Sequence, residues 1–260
     1  MMIKFFRHIR KQLLSESKFS KYIIYALGEI ILVVVGILIA LGVSNWNENR
    51  KERYRAHSVL EHLSNEIKQD SVYFNNVYQA EKNIYLRGAE VLFNEHVKDE
   101  ITEEYDSIIG MSFRLACFTP GIKALKNAYE ELTASNLLTH INSEDLKKNL
   151  KAYYGQIDFL NSYSDQSQPL SNDLIMELAQ YYEIIPESKE TLKELSDFSG
   201  AIENYFTAKY DLQAFRKNKS LNPKLYDMID IHKDRLGGLD ILRQLSVKIQ
   251  DDIKLELKTD

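Results

Sequence analysis

Six histidines, one dense group of acids and a single cysteine are the residues of this chain whose types could do chemistry. A metal site needs His, Cys or carboxylate side chains brought to one face. His57 and His62 stand five positions apart, which turns them away from each other on a helix, and neither belongs to a His-Glu-x-x-His pair. His57 with Glu61, and His62 with Glu66, are spaced i,i+4, but a pair of ligands needs further partners, and the spacing reads as solvated helix faces. Asp227, Asp230 and Asp234 with His232 form the densest acid cluster. A calcium loop requires ligands on alternate residues around a central Gly, so this cluster reads as a surface acid patch. Ser15 and Lys18 match Ser-x-x-Lys without the companion motifs of acylating enzymes. No nucleophile elbow, phosphate-binding glycine loop or dinucleotide fingerprint occurs. Cys117 lies among Leu115, Ala116 and Phe118 and reads as a small buried apolar residue, unable to form an intramolecular disulfide. The expectation is a protein without catalytic residues, cofactor or metal.

One carboxylate has an unusual setting. Glu29 is the only charged residue in the apolar run Tyr22–Val43. Roughly 20 apolar residues at about 1.5 Å each span the ~30 Å hydrocarbon core of a bilayer. Tyr22 and Tyr25 at one end and Trp46 at the other suit the headgroup level. The run is longer than the apolar region of a cleaved signal peptide, its main rival, although Ala40-Leu41-Gly42 would pass as a cleavage site. Gly28, Gly36, Ala40 and Ser44 share one i±4 row, broken by Leu32. Small residues on one face let membrane helices approach closely. Glu29 lies beside that row, and two readings stand: it reaches the near interface or is neutralised there, or it pairs with a partner helix.

Charge is distributed unevenly. Residues 1–46 hold Lys4, Arg7, Arg10, Lys11, Lys18 and Lys21 against Glu16 and Glu29; the remainder carries 27 basic and 36 acidic side chains, a net of −9. An acidic domain is a poor match for nucleic acid, whereas a basic tail suits an anionic lipid surface. Met2, Phe6, Ile9 and Leu13 recur at helical spacing while Lys4, Arg7, Arg10 and Lys11 project elsewhere, the pattern of a basic amphipathic helix on a membrane. Six basic residues precede the run, and Arg50, Lys51, Arg53 and Arg55 follow it closely, so the positive-inside rule places the N-terminus in the cytoplasm by a modest margin. The expected organisation is a tail over 1–21, a membrane helix over 22–46 and an extracytoplasmic helical domain over 47–260.

Part of the chain resembles a known family. Phe6-Arg7-His8-Ile9-Arg10, Lys21-Tyr22, Tyr25 to Ile30, Gly36 to Leu41 and Asn45-Trp46-Asn47-Glu48 are similar to the Bacteroidota family of uncharacterised single-pass membrane proteins, a domain of unknown function. The resemblance continues weakly at Ala128 to Leu132 and Ser135-Asn136-Leu137, where relatives more often have Gly for Asn136; Gly42 stands where they often have Gln. It implies an inner-membrane anchor and an exterior helical domain, and no activity.

Beyond Asn47 the pattern is helical. Leu60, Leu63, Ile67, Phe74, Val77, Ile84 and Val91 follow a 3–4 alternation, with Asp70, Glu81 and Gly88 at the skipped slots, predicting a long first helix with an interrupted seam. Thr119-Pro120, Asn142-Ser143 and Asn222-Pro223 read as helix starts, and Pro169 and Pro186 as breaks. Asn136 reads as a left-handed cap, and Gly237-Gly238 as a kink or split in the last helix. Tyrosine pairs such as Tyr153-Tyr154 and Tyr181-Tyr182 are expected to pack in the core with hydroxyls at the surface. Strand patterns are absent. The expectation is an all-α, irregular helical bundle behind one membrane helix. It would act as an interaction or scaffold protein of the cell envelope, with lipids, a second copy or another membrane protein as partners. The alternative is a sensory or ligand-binding module that signals through a membrane partner, since residues 1–21 are too few for an output domain.

Overall fold

The computed structural model describes residues 19–98, 107–185 and 207–258. The elements are α1 (Phe19–Ala80), a π-helical turn (Glu81–Leu86), α2 (Arg87–Val97), α3 (Ser107–Leu115) and α4 (Asn127–Ala134). A 3-10 turn (Leu137–His140), α5 (Glu144–Leu178), β1 (Tyr182–Ile185), β2 (Thr207–Tyr210), α6 (Leu212–Lys217) and α7 (Leu221–Glu256) complete them. The chain divides into two compact units, Met1–His57 and Ser58–Asp260.

In the first unit, α1 carries a stretch whose most apolar 18-residue window has a mean hydropathy of 2.7 and no burial at all. It is long and apolar enough to cross a membrane. Residues 1–18, which hold the expected surface helix with Lys4, Arg7, Arg10 and Lys11 and the Ser15/Lys18 pair, lie outside the described residues.

Among the described residues the second unit is all-α apart from one antiparallel strand pair. Its spine is α5 packed antiparallel on α7: Asn149 meets Asp252, Leu160 lies against Gly238, Ser171 meets Met228, and Glu177 meets Lys224. The core around the α2–α3 end joins Leu92, Phe113, Leu174, Phe215 and Met228. Phe113 meets Phe215 edge-on at 5.0 Å. Toward the other end of the spine, Leu60, Leu63 and Ile67 of α1 are buried, as are Leu146, Leu150, Leu242 and Ile249.

Several helix boundaries differ from the sequence expectation. Pro169 lies inside α5 rather than ending it. A mid-helix proline forfeits a backbone bond and costs about 3 kcal/mol, but the α5–α7 contacts continue on both sides of it and outweigh that loss. Gly237-Gly238 neither kinks nor splits α7, which runs unbroken. A Cβ on Gly238 would sit 2.6 Å from Leu160 Cδ2, so this glycine permits close helix approach. The last helix starts at Leu221, placing Pro223 within its first turn instead of at its first position. Thr119-Pro120 starts no helix, and Phe118–Lys126 is an irregular strap. Strands, expected to be absent, appear as the antiparallel pair β1–β2, with Tyr182 opposite Tyr210. Both rings pack on Phe113, at 5.6 and 6.1 Å, so tertiary contact holds a pairing too short to announce itself in sequence. Pro186 lies outside the described residues.

Other signals correspond. Asn136 is left-handed, with φ 56°. Ser143 caps α5, accepting from the Leu146 amide at 3.1 Å. Distant carboxylates add caps that no local pattern shows. Glu256 accepts from the Asn142 and Ser143 amides, and Glu66 accepts from the Ala128 amide at the start of α4.

Candidate functional site

The densest buried polar constellation forms where the π-helical turn meets α7. A π turn lets the chain take one extra residue and re-aim the side chains beyond it. The seam of α1 runs through Leu60, Leu63, Ile67 and Phe74 to Glu81. From the last residue of the turn onward the buried positions are Leu86, Gly88, Ala89 and Leu92, while Val77 before the turn, Ile84 within it and Val91 after it, all expected in the seam, are only half-buried. The turn thus delivers Glu81 into the core, fully buried, and returns an apolar stripe to it afterwards.

On α7, His232 and Arg235 are three residues apart and share the face turned toward Glu81. Arg235 Nε donates to Glu81 Oε1 at 3.1 Å, and its Nη2 donates to Oε2 at 3.2 Å and to the Pro120 carbonyl at 2.7 Å. Its Nη1 donates to Ser164 Oγ. His232 Nε2 lies 2.7 Å from the Ala116 carbonyl, which can only accept, so that nitrogen carries a hydrogen. Nδ1 lies 2.7 Å from Glu81 Oε1. The ring of Tyr85 stacks on His232 at 6.2 Å. Burial pushes the Tyr85 hydroxyl above its ordinary pKa, the Glu81 charge adds to the shift, and Arg235 opposes it.

The Arg235 guanidinium ties the π turn, α5 and the strap to α7, and Glu81 holds it together with His232. Glu81 is engaged on both oxygens, so the arrangement is suited to fixing helix positions. The acid patch to which the sequence assigned His232 is divided: Asp227, Asp230 and Asp234 are exposed, while His232 is buried on the opposite face. Tyr163 donates to Asp234 at 2.8 Å, and burial together with that carboxylate pushes the phenol up to about 12.

A second buried acid, Asp70, holds the strap. It accepts from the Leu125 amide at 3.1 Å and from the Tyr153 hydroxyl at 3.0 Å. Burial raises its pKa, opposed by those two donors, while nearby Glu66 adds to the rise. The Tyr153 hydroxyl is therefore inside the core, not at the surface as expected; Tyr154 instead donates to the Leu125 carbonyl. Ile122 donates its amide to Asn161 at 2.8 Å. The strap's backbone is thus satisfied by side chains from α1, α5 and α7.

A third network closes the far end of the α5–α7 pair. Lys224 binds Asp173 at 2.5 Å and Glu177 at 2.7 Å, while Glu177 also accepts from Asn218 and Ser220. The Lys224 bond, with those from Ser220 and Asn218, holds the Glu177 carboxyl below the usual range. Arg216 pairs with Glu95 at 2.8 Å nearby. Cys117 is buried and its thiol is pushed up to about 12 by burial, the character of an inert core residue. His62 and Glu61 are exposed, and Glu66 is turned to the start of α4.

In the apolar stretch, Gly28, Gly36, Ala40 and Ser44 are exposed, and nothing lies within 4 Å of a Cβ built on either glycine. Glu29 is partly covered.

Residues 29–103 match the family of unknown function DUF6090. The match begins inside the apolar stretch and continues through the rest of α1, the π turn and α2. It includes Asp70 and Glu81, but not their partners Tyr153, His232 and Arg235. No curated protein and no solved structure matches the chain.

Sequence reasoning missed Asp70, Glu81 and Arg235. The first two had a signal. They occupy core-facing slots of an apolar repeat, where a carboxylate must find a partner or leave the core.

Proposed function

We propose that the protein is a membrane-anchored interaction or scaffold protein of the cell envelope. Its N-terminus would be cytoplasmic and residues 47–260 extracytoplasmic, on the far side of the cytoplasmic membrane. The observation that carries the reading is the apolar window at mean hydropathy 2.7, which no described residue covers and which a bilayer would. Gly28, Glu29, Gly36, Ala40 and Ser44 form the face offered to a neighbouring helix, from a second copy or another membrane protein. Lys4, Arg7, Arg10 and Lys11 would contact lipid. The reading assigns no catalytic residue and no nucleic-acid partner.

The test is chemical crosslinking of the full-length protein in native membranes. A discrete complex that is lost in a Glu29→Gln, Gly36→Leu double variant supports the reading, and recovery of monomer alone overturns it. Orientation is checked with a cysteine placed at Asn47, because native Cys117 is buried. Labelling by a membrane-impermeant reagent, once the outer barrier is opened, is expected.

One observation favours the alternative of an extracytoplasmic ligand-binding module acting through a membrane partner. An open groove of about 490 Å³ lies between α1 and α7, lined by residues that include Ser71, Asn75, Arg243 and Val247. A ligand-dependent rise in the melting temperature of the full-length protein, abolished by Arg243→Ala, would establish that role.

A further inference from the structure

Immediately beyond the apolar run, α1 carries an aromatic–cation ladder. The Arg50 guanidinium carbon lies 5.8 Å from the Trp46 ring centroid and 5.6 Å from that of Tyr54. Both distances are within the ~6 Å reach of a cation–π contact. The two rings are 63% and 59% exposed, so a large amphipathic surface faces outward. Among the described residues, Arg50 has an aromatic ring on either side and no carboxylate partner.

The helix geometry sorts the neighbouring charges. At about 100° per residue, Arg50, Arg53 and Tyr54 fall within roughly 80° of Trp46. Glu48 and Glu52 project about 160° and 120° away from it, and Lys51 and Arg55 also lie off the ladder face. One face therefore combines two arginines with two aromatic rings, and the acids are on the other side.

Height along the helix brings Trp46 and Arg50 to the headgroups, while Arg53 and Tyr54 stand roughly 15 Å or more beyond the hydrocarbon edge. Counting about 1.5 Å per residue from Val43, the last apolar residue, Trp46 stands roughly 5 Å and Arg50 roughly 10 Å beyond the hydrocarbon edge. The polar layer on each side of a bilayer is about 5–8 Å deep, and a tilted helix with a long arginine brings the guanidinium into it. Trp rings favour that layer. A guanidinium stacked on ring faces keeps its edge N–H groups free, and these match two oxygens of a phosphate.

We propose that Trp46 and Arg50, with Tyr54 bracing the guanidinium from the aqueous side, form a binding site for the phosphate groups of anionic phospholipids in the leaflet adjoining residues 47–260. The proposal rests on the membrane-anchor reading and goes beyond it. This face fixes the depth of the helix and recognises lipid charge at the end opposite the basic tail.

Trp46 is the only tryptophan, so its fluorescence reports this face alone. Full-length protein is reconstituted in phosphatidylcholine vesicles and in vesicles containing phosphatidylglycerol. Emission, quenching by brominated acyl chains and quenching by neutral aqueous acrylamide are then measured. In the anionic vesicles Trp46 emission shifts to the blue and acrylamide quenching falls, and added salt reverses both. Arg50→Gln loses the response, whereas Lys51→Gln, which removes the same charge from another face, retains it. Identical behaviour in the two vesicle types, or equal loss in both variants, overturns the headgroup site while bromine quenching still shows an inserted helix. Absence of bromine quenching in either vesicle overturns the anchor reading itself, and the proposal with it.

Discussion

Two adjacent glycines in α7 should respond in opposite directions to the same substitution. Gly237 and Gly238 both lie in the interior of a continuous helix, where replacing Gly by Ala gains about 0.8–1 kcal/mol of helix propensity. Gly237 is exposed and nothing lies within 4 Å of an added Cβ, so Gly237→Ala should realise that gain. At Gly238 the added carbon would meet Leu160 Cδ2 at 2.6 Å, Gln156 Nε2 at 2.9 Å and Leu160 Cγ at 3.1 Å. Gln156 can move, but Leu160 is 2% exposed and locked between α5 and α7. Overpacking of this kind costs about 1–3 kcal/mol, leaving Gly238→Ala neutral to about 2 kcal/mol less stable. For a domain of about 200 residues, 1 kcal/mol moves the midpoint by about 2–4 °C. Thermal and urea unfolding of full-length protein in detergent, followed by far-ultraviolet circular dichroism, should separate the pair by about 1–3 kcal/mol. Equal stabilisation by both substitutions would refute the close-approach argument.

Glu81→Gln leaves His232 and Arg235 in the core without a carboxylate and should cost about 3–5 kcal/mol in urea unfolding; Glu61→Gln on an exposed face is the control and should cost little. Asn136 occupies the left-handed region, so Asn136→Gly should be tolerated while Asn136→Val loses about 1–2 kcal/mol. The lowered pKa of Glu177 means that its network stabilises fully above the ordinary carboxylate range, near pH 4.3, and loses that contribution as pH falls through the folded value. Glu177→Gln should therefore remove an acid-side loss seen in pH-dependent unfolding. Asp70 has the opposite sign. Its raised pKa gives a contribution present below about pH 4 that is lost as pH rises through the folded value, so Asp70→Asn should compare more favourably with wild type at pH 7 than at pH 4.

What the sequence revealed and what it hid divide by range. The apolar run, the Ser143 cap, the left-handed Asn136 and the Leu60–Phe74 seam depend on residues within a turn or two of each other, and periodicity and capping chemistry expose them. Glu81 finds His232 across 151 positions, and Asp70 finds Tyr153 across 83. No local pattern links such partners. The seam interruptions at Asp70 and Glu81 looked like weaknesses of a zipper, and they are the points at which other elements are tied to α1. The π turn escaped because a one-residue insertion is invisible until the stripe beyond it is found displaced. Pro169 and Gly238 misled for a related reason: their local preferences are real, but α5–α7 packing outweighs one and requires the other.

The strap Phe118–Lys126 has a consequence for the order of assembly. Helices make their backbone bonds within themselves and can form early, but the amides of Ile122 and Leu125 have only water as acceptor until α5 brings Asn161 and α1 brings Asp70 to them. Such a segment docks only after the helices that receive it, and it opens first when they loosen. Its amides should therefore exchange with solvent deuterium before those of α5 and α7, making this short irregular piece the gauge by which early loosening of the bundle is read.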